Sequence, residues 1–280
     1  MSEGFFILAA SLLPLSLGVF LSYRVFRIPD ITTDGSFSLG GAVLIWALQA
    51  GLPMYLAITI AGITGAIAGL CTGGLYQKFK IPALLAGILV MGALFSINLL
   101  ITGRANLPIP ETSEPGNSFG DPKSYLWFIT GLSVLLFLLF YFFLKTDFGL
   151  AMRAAGSNGE AAQAQGIAVS MMQITGLCIA NGLTAISGAM MVLSQGFWDI
   201  NMGTGIIIAG MAAVMMAEAV AGKKHFFLHA LLLLPCTLLY RWIIALVLSF
   251  GMEPVYVKLV TSILVTLIFG FTYFRNKEGA

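Results

Sequence analysis

The sequence predicts an all-α, polytopic helical membrane protein with about nine transmembrane helices. Three observations carry that expectation. Of the 280 residues, 59% are hydrophobic and only 9% charged, where soluble domains carry roughly 25% charged residues. Mean hydropathy is +0.96, and apolar runs of a length able to cross a hydrocarbon core of about 30 Å recur along the whole chain. The cations lie on one side of those runs. The chain therefore reads as one transmembrane domain over 1–280, with a cytoplasmic loop at 146–170 and an extracytoplasmic loop at 103–123.

Several function classes fall away at once. A net charge of +2 is too small to suggest nucleic acid. Cys71, Cys178 and Cys236 sit in apolar segments without metal-ligand spacing and read as packing residues. The histidines are His225 and His229, with no H-E-x-x-H. No G-x-x-x-x-G-K-[ST] occurs, so ATP hydrolysis through a P-loop on this chain is excluded. No Ser/His or Asp/Asp catalytic pattern is visible, and the chain reads as neither an enzyme nor a binder of a cofactor of its own.

The first span is Phe5 to Tyr23. No Lys or Arg precedes it, which argues against a signal peptide. Arg24 and Arg27 follow it, placing the N-terminus outside. Pro29 and the run DITTDGS then break helical structure. A helix can start near Ser36, capped by Asp34 or Ser36, and stop near Gly51 and Pro53. Some 15 residues rise roughly 22 Å, too little to span. The second helix is then broken, with Asp30 to Ser36 entering the membrane as irregular backbone, tolerated where it lines a wet cavity. A surface loop preceding an ordinary helix is the competing reading.

Further spans are read at Met54 to Tyr76, Ala83 to Thr102, Ser124 to Leu144, Met171 to Ser194, Gly205 to Ala221, Phe226 to Phe250 and Val255 to Phe274. Gln195 to Thr204, with Phe197, Trp198 and Asp199, reads as an interfacial turn. On this topology Arg24, Arg27, Lys78, Lys80, Lys145, Arg153, Lys223, Lys224, Arg275 and Lys277 fall inside. Arg104, Lys123 and Lys258 fall outside, and Arg241 lies within a span. Ten against three is a strong positive-inside bias.

Phe148 to Ser170 is the longest stretch without a bulky apolar block. Ser157 and Glu160 have the spacing of a capping box, and Gly166 supplies a stop. About two turns of helix result, too short to stand alone in water. The segment is either an ordinary loop with a helical turn or a helix made to dock on another protein. Gly40 to Gly51 resembles Gly210 to Gly222 in its placement of small residues. The two run in opposite senses in this topology, as in an inverted repeat.

Charges at membrane depth cost about 2.5–3.5 kcal/mol on insertion scales and each needs a reason. Asp34, beside a helix N-terminus with Gly35 and Ser36, suits a substrate path or a cap. Glu218 and His229 read as a structural polar pair. Arg241 can attract anionic groups or snorkel outward. Asn98 and Asn181 read as interhelical hydrogen bonders.

With these segments in view, the chain resembles ABC-importer permeases of the branched-chain amino acid and ribose type. PDITTDGSFSLGGAV is similar to the segment opening that family's second core helix. MRAAGSNGEAAQAQGI resembles its cytoplasmic R-A-x-G…E-A-A…G-I loop. IIIAGMAAVMMAEAVAGKKHFF resembles its late Gly- and Ala-rich helix. PDITTDGSF, GLAMRAAG and LLYRWIIALVLSFG look closest to a subgroup assigned to aromatic amino acids such as tryptophan or tyrosine.

The resemblance implies a bacterial inner-membrane importer with the C-terminus cytoplasmic. It implies partner ATPase subunits holding ATP and magnesium, an extracytoplasmic binding protein, and a second permease copy. It makes Arg153, Gly156, Ser157, Glu160, Ala161 and Gly166 the ATPase-coupling residues. A secondary transporter or channel working without ATP is the alternative.

Overall fold

The computed structural model describes residues 2–110, 122–222, 226–249 and 256–278. Within them the chain forms eleven α-helices and one two-stranded ladder. In order these are α1 (Ser2–Val19), a π-helical turn (Phe20–Val25), α2 (Thr32–Gln49), α3 (Met54–Lys78), α4 (Ala83–Thr102), β1 (Asn106–Pro108), α5 (Pro122–Phe143), α6 (Asp147–Ser157), α7 (Gly159–Ala164), α8 (Val169–Gln195), β2 (Phe197–Asp199), α9 (Ile206–Ala221), α10 (Phe226–Ser249) and α11 (Val257–Glu278).

Five stretches among the described residues are long and apolar enough to cross a membrane: Phe6–Val25, α3, α4, α8 and Phe226–Val247. A sixth forms if α5 and α6 are taken together across their 74° bend. The expected spans at α2, α9 and α11 do not meet that measure: α2 opens on a polar run, α9 has 16 residues, and the apolar stretch of α11 among the described residues is only Val257–Ile268. The residues of the expected extracytoplasmic loop from 111 to 121, and Lys223, Lys224 and His225, lie outside the described residues.

The packing is organised around α8. It is 83% buried, against 28% for α4 at the periphery. Three helices reach its backbone through residues that lack a side chain. A Cβ on Gly40 of α2 would overlap the Ala185 carbonyl, and one on Gly188 would overlap the Phe37 carbonyl, so the two helices key into each other. Gly65 and Gly69 of α3 lie on the Asn181 and Leu177 carbonyls in the same way. Lipid is as apolar as leucine, so such close backbone contact is what drives membrane helices together.

Polar groups add specificity. Ser11 of α1 meets Ser194 of α8 at 2.8 Å, and the Ser187 hydroxyl donates to the Ser11 carbonyl at 2.5 Å. Gln77 of α3 donates to Gln173 of α8.

The directions of the helices follow from these contacts. Ser36 and Gly41 of α2 meet Asn181 and Val192 of α8, so the two are parallel. Ser11 and Gly18 of α1 meet Ser194 and Ala180, so α1 and α8 are antiparallel. Gly210 and Glu218 of α9 meet Val19 of α1 and Arg24 just beyond it, so α9 follows α1. Thus α2 and α9 run in opposite senses, as the sequence comparison of their glycines expects.

The segment after α8 is tied into the helices. Trp198 is fully buried within the protein, and its indole N–H donates to the Ser38 carbonyl at 2.9 Å. Ser38 returns a bond to the Ile200 carbonyl at 3.1 Å. β2 pairs antiparallel with β1, with Leu107 opposite Trp198. A tryptophan can be wholly buried only when its N–H finds an acceptor, and α2 supplies it.

The keyed packing is testable. Gly40→Val should sharply lower the yield of monodisperse protein on size exclusion, because overpacking against backbone has no flexible group to give way. Gly74→Val, on an open face of α3, should match the wild type. Equal yields from both variants would refute the keyed-helix account.

Candidate functional site

The break between the first two long helices is six residues, Phe26 to Ile31, and it turns on Asp30. Asp30 is 1% exposed. One carboxylate oxygen accepts from the Thr32 N–H at 3.0 Å and its backbone carbonyl accepts from the Thr33 hydroxyl at 3.0 Å. The other carboxylate oxygen accepts from Asn181 Nδ2 at 2.7 Å, and Asn181 Oδ1 accepts from the Ser36 hydroxyl at 2.7 Å. Asn181 is thus the interhelical hydrogen bonder expected of it, twelve residues into the 27-residue α8. Asp30 is the residue that sequence reading passed over. Its signal is the D-x-T-T spacing, which suits an Asx turn opening a helix.

Asp34, Gly35 and Ser36 are not irregular backbone. They lie in the first two turns of α2, which starts at Thr32 rather than at Ser36. Neither Asp34 nor Ser36 caps α2. Asp34 caps another helix: its carboxylate accepts from the Gly205 N–H at 2.7 Å and the Ile207 N–H at 3.0 Å. A carboxylate at a helix N-terminus satisfies orphan donors and meets the positive end of the dipole. Two oppositely running helices therefore start at one charged joint. Gly35 packs on Met91 and Leu94 of α4, and Ser36 is fully buried against Asn181. Neither of these two residues lines the Arg241 cavity.

Arg241 does open onto a cavity. It has a volume of about 380 Å³ and lies between the segment 195–209 and helices α10 and α11. Gln195, Asp199, Asn201, Thr204, Tyr240, Arg241, Lys258 and Thr261 supply its polar lining, beside the apolar ring of Phe197. Gly205 and Ile206 form part of the wall, so the Asp34 joint stands directly behind it. Tyr240 donates or accepts at 3.2 Å from the Thr261 hydroxyl. No carboxylate forms an ion pair with Arg241 among the described residues, where the single ion pair joins Arg24 to Glu218.

Glu218 and His229 do not bond to each other. Arg24, on the π-helical turn, stands between them: its guanidinium is 3.5 Å from Glu218 Oε1 and 3.5 Å from His229 Nδ1. His229 Nε2 is 2.7 Å from the Gly222 carbonyl. An expected pair is therefore a triad that ties α1, α9 and α10 together.

On the loop side, the expected capping box is also corrected. Ser157 is the last residue of α6, and its hydroxyl donates to the Ala154 carbonyl at 3.0 Å. The cap of α7 is Asn158, which accepts from the Ala161 N–H at 3.1 Å. Thr146 caps α6 by accepting from the Gly149 N–H at 3.2 Å. Gly166 ends the unit at φ +84°, the left-handed conformation its glycine suits.

Glu160, Ala161, Gln163, Ala164 and Gln165 are exposed, while Ala162 is buried. Gly156 seats α6 on the Val25 carbonyl, where a Cβ would overlap. Arg153 turns away from this surface. Its guanidinium lies 4.5 Å from the Phe226 ring centre and 4.8 Å from that of Phe227.

Comparison with known proteins supplies the family. The chain is 35% identical over 252 residues to a tyrosine transport system permease protein of Clostridioides difficile (strain R20291), covering 90% of this chain and 84% of that one. It is 28% identical over 244 residues to a probable branched-chain amino acid transport permease protein, LivH, of Methanocaldococcus jannaschii, covering 80% and 74%. A solved structure described as an inward-facing metal-chelate type ABC transporter has a TM-score of 0.57 at 16% identity, covering 98% of this chain and 85% of that chain, a likeness of fold alone. A family profile for the permease component of branched-chain amino acid transport systems matches residues 1–273. The chain belongs to that family and is a permease component of an ABC transporter.

Proposed function

We propose that the chain carries amino acids, aromatic ones among them, inward across a bacterial inner membrane. The observation that carries this reading is Arg241: a guanidinium in a membrane helix, in no ion pair among the described residues, opening onto a cavity of about 380 Å³ whose lining also holds the Asp199 carboxylate, a partner for a substrate ammonium. A substrate carboxylate fits a guanidinium in a bidentate manner. The cavity volume falls in the usual range for small-molecule sites, roughly 300–1,000 Å³. Phe197 gives it an apolar wall for a side chain, and Lys258 adds a second cation to its lining. The likeness to a tyrosine permease supports an aromatic substrate. Membership of an ABC permease family replaces the alternative of a transporter working without ATP.

The same reading gives α7 its partner. A six-residue helix with an exposed Ala- and Gln-rich face, capped by Asn158, is compact enough to enter a groove on an ATPase subunit. Ser157, Glu160 and Ala161 are the contact residues on this view. Gly156 and Gly166 set the bend, and Arg153 is internal. ATP and magnesium belong to that ATPase. A second copy of this chain and an extracytoplasmic binding protein complete the assembly, with the N-terminus outside and the C-terminus cytoplasmic.

Arg241→Gln should lower amino-acid uptake at least tenfold in proteoliposomes of the full transporter and leave basal ATP hydrolysis near wild type. Removing a charge-assisted contact costs about 1.5–3 kcal/mol, consistent with that factor. Unchanged uptake would sink the substrate role.

Ala161→Trp should abolish substrate-stimulated ATP hydrolysis while the protein still inserts and purifies normally. Fully coupled activity in that variant would end the assignment of α7.

Sidedness is open to labelling. A cysteine at Asn158 should react with an impermeant maleimide only from the cytoplasmic face, and one at Ala105 only from outside. The reverse pattern would require inverting the topology.

A further inference from the structure

A second polar cavity, of about 410 Å³, lies at the opposite end of the helices from Arg241, between the π-helical turn, α6 and the start of α10. Arg24, Arg27 and Arg153 all line it, with Leu150, Ser157 and Phe226, and no carboxylate does among the described residues. Glu218 offsets Arg24 alone. The Arg153 charge rests on the faces of Phe226 and Phe227, which orient the guanidinium without neutralising it. Arg27 is exposed and sits at φ +56°, held beside the cavity by the bond from the Ile28 N–H to the Ser22 carbonyl at 2.9 Å. The Nε of Arg24 is buried and lacks a partner among the described residues. Three guanidiniums on one cavity would repel one another unless an anion joined them.

We propose that this cavity binds the phosphate of an anionic phospholipid head group. Guanidinium forks match phosphate oxygens bidentately, and basic pockets between membrane helices are a recurring form of head-group site. The surface beside it favours a lipid. Leu135, Leu138, Leu139 and Phe142 are exposed on one face of α5, which leads into α6, and Leu150 on the cavity lip is 56% exposed. An acyl chain lying on that face brings its head group to the arginines. Of the residues proposed to meet the ATPase, Ser157 also lines this cavity while Glu160 and Ala161 do not, so the two sites adjoin, and the lipid site rests on the three arginines rather than on the coupling assignment.

The test uses the purified full-length chain in detergent. Its Tm is followed during titration with short-chain phosphatidylglycerol, short-chain phosphatidylcholine or inorganic phosphate. Phosphatidylglycerol should raise the Tm and phosphatidylcholine should not. Arg27→Gln and Arg153→Gln should each weaken the apparent affinity about fivefold, in line with the attraction of single basic groups to anionic lipid. Arg27→Lys should retain most of it. Arg104→Gln, an exposed arginine near β1, should bind as wild type and controls for general charge.

An equal response to inorganic phosphate would keep the anion site and assign it to a free anion rather than a lipid. The proposal is overturned if both lipids act alike, or if the Gln variants respond as wild type. It is also overturned if those variants lose association with the ATPase subunit while their lipid response is unchanged, since the cavity would then be a protein socket.

Discussion

The rest of this structure depends on how closely three helices approach the backbone of α8. That approach is possible because Gly18, Gly40, Gly65, Gly69 and Gly188 present no side chain where carbonyl groups of the neighbouring helix lie. In a membrane the gain is packing, since burying apolar side chains away from apolar lipid contributes little. Close approach also brings polar side chains into range. Asp30, Ser36 and Asn181 form their chain of hydrogen bonds only because α2 and α8 touch at this depth. Interhelical hydrogen bonds average about 0.6 kcal/mol in such settings. The packing therefore carries the assembly, while the polar chain sets its register. Removing one member would leave the others buried and unpaired, which costs more than the bond itself contributed.

Asp34 converts that scaffold into a joint. It belongs to α2, which is keyed to α8, yet it holds the N-terminus of α9, which follows α1. The two helices leave the joint in opposite directions. At the far end of α9, Glu218 is tied to Arg24 on the π-helical turn. α9 is thus held by a charge at each end and forms part of the wall of the Arg241 cavity between them. The π turn also carries the Val25 carbonyl on which α6 rests through Gly156, and α1 itself reaches the cavity through Leu12. π-helical turns inside helices are frequent at functional sites.

Much of this was legible beforehand. The all-α membrane class, the loop carrying α7, the Gly166 stop and the opposed senses of α2 and α9 all follow from apolar run length, charge placement and glycine position. Asn181 was legible because a lone amide in an apolar helix needs a partner. The details of capping were not. Ser157 and Glu160 fit a capping box, but Asn158 stands between them and accepts the first free N–H. Spacing alone cannot rank two adjacent caps. Glu218 and His229 were read as a pair because they are close in sequence, and Arg24 came between them from the other end of the chain. The burial of Trp198 was not legible either, because its acceptor, the Ser38 carbonyl, comes from α2.

By itself the sequence determined the helical membrane class, which ends of its apolar runs carry cations, and that the chain breaks after the first of them. Those properties are local: they rest on hydrophobic run length, on the cost of charge in lipid and on the backbone limits of proline and glycine. Only the tertiary structure decided which polar residues are occupied and which remain open. Asp34 and Arg241 are both charges in helices, and nothing local separates them. Asp34 meets two backbone N–H groups of α9 and is satisfied, whereas Arg241 meets a cavity. That difference arises from packing between segments some 170 residues apart, and a pattern within one segment carries no record of it.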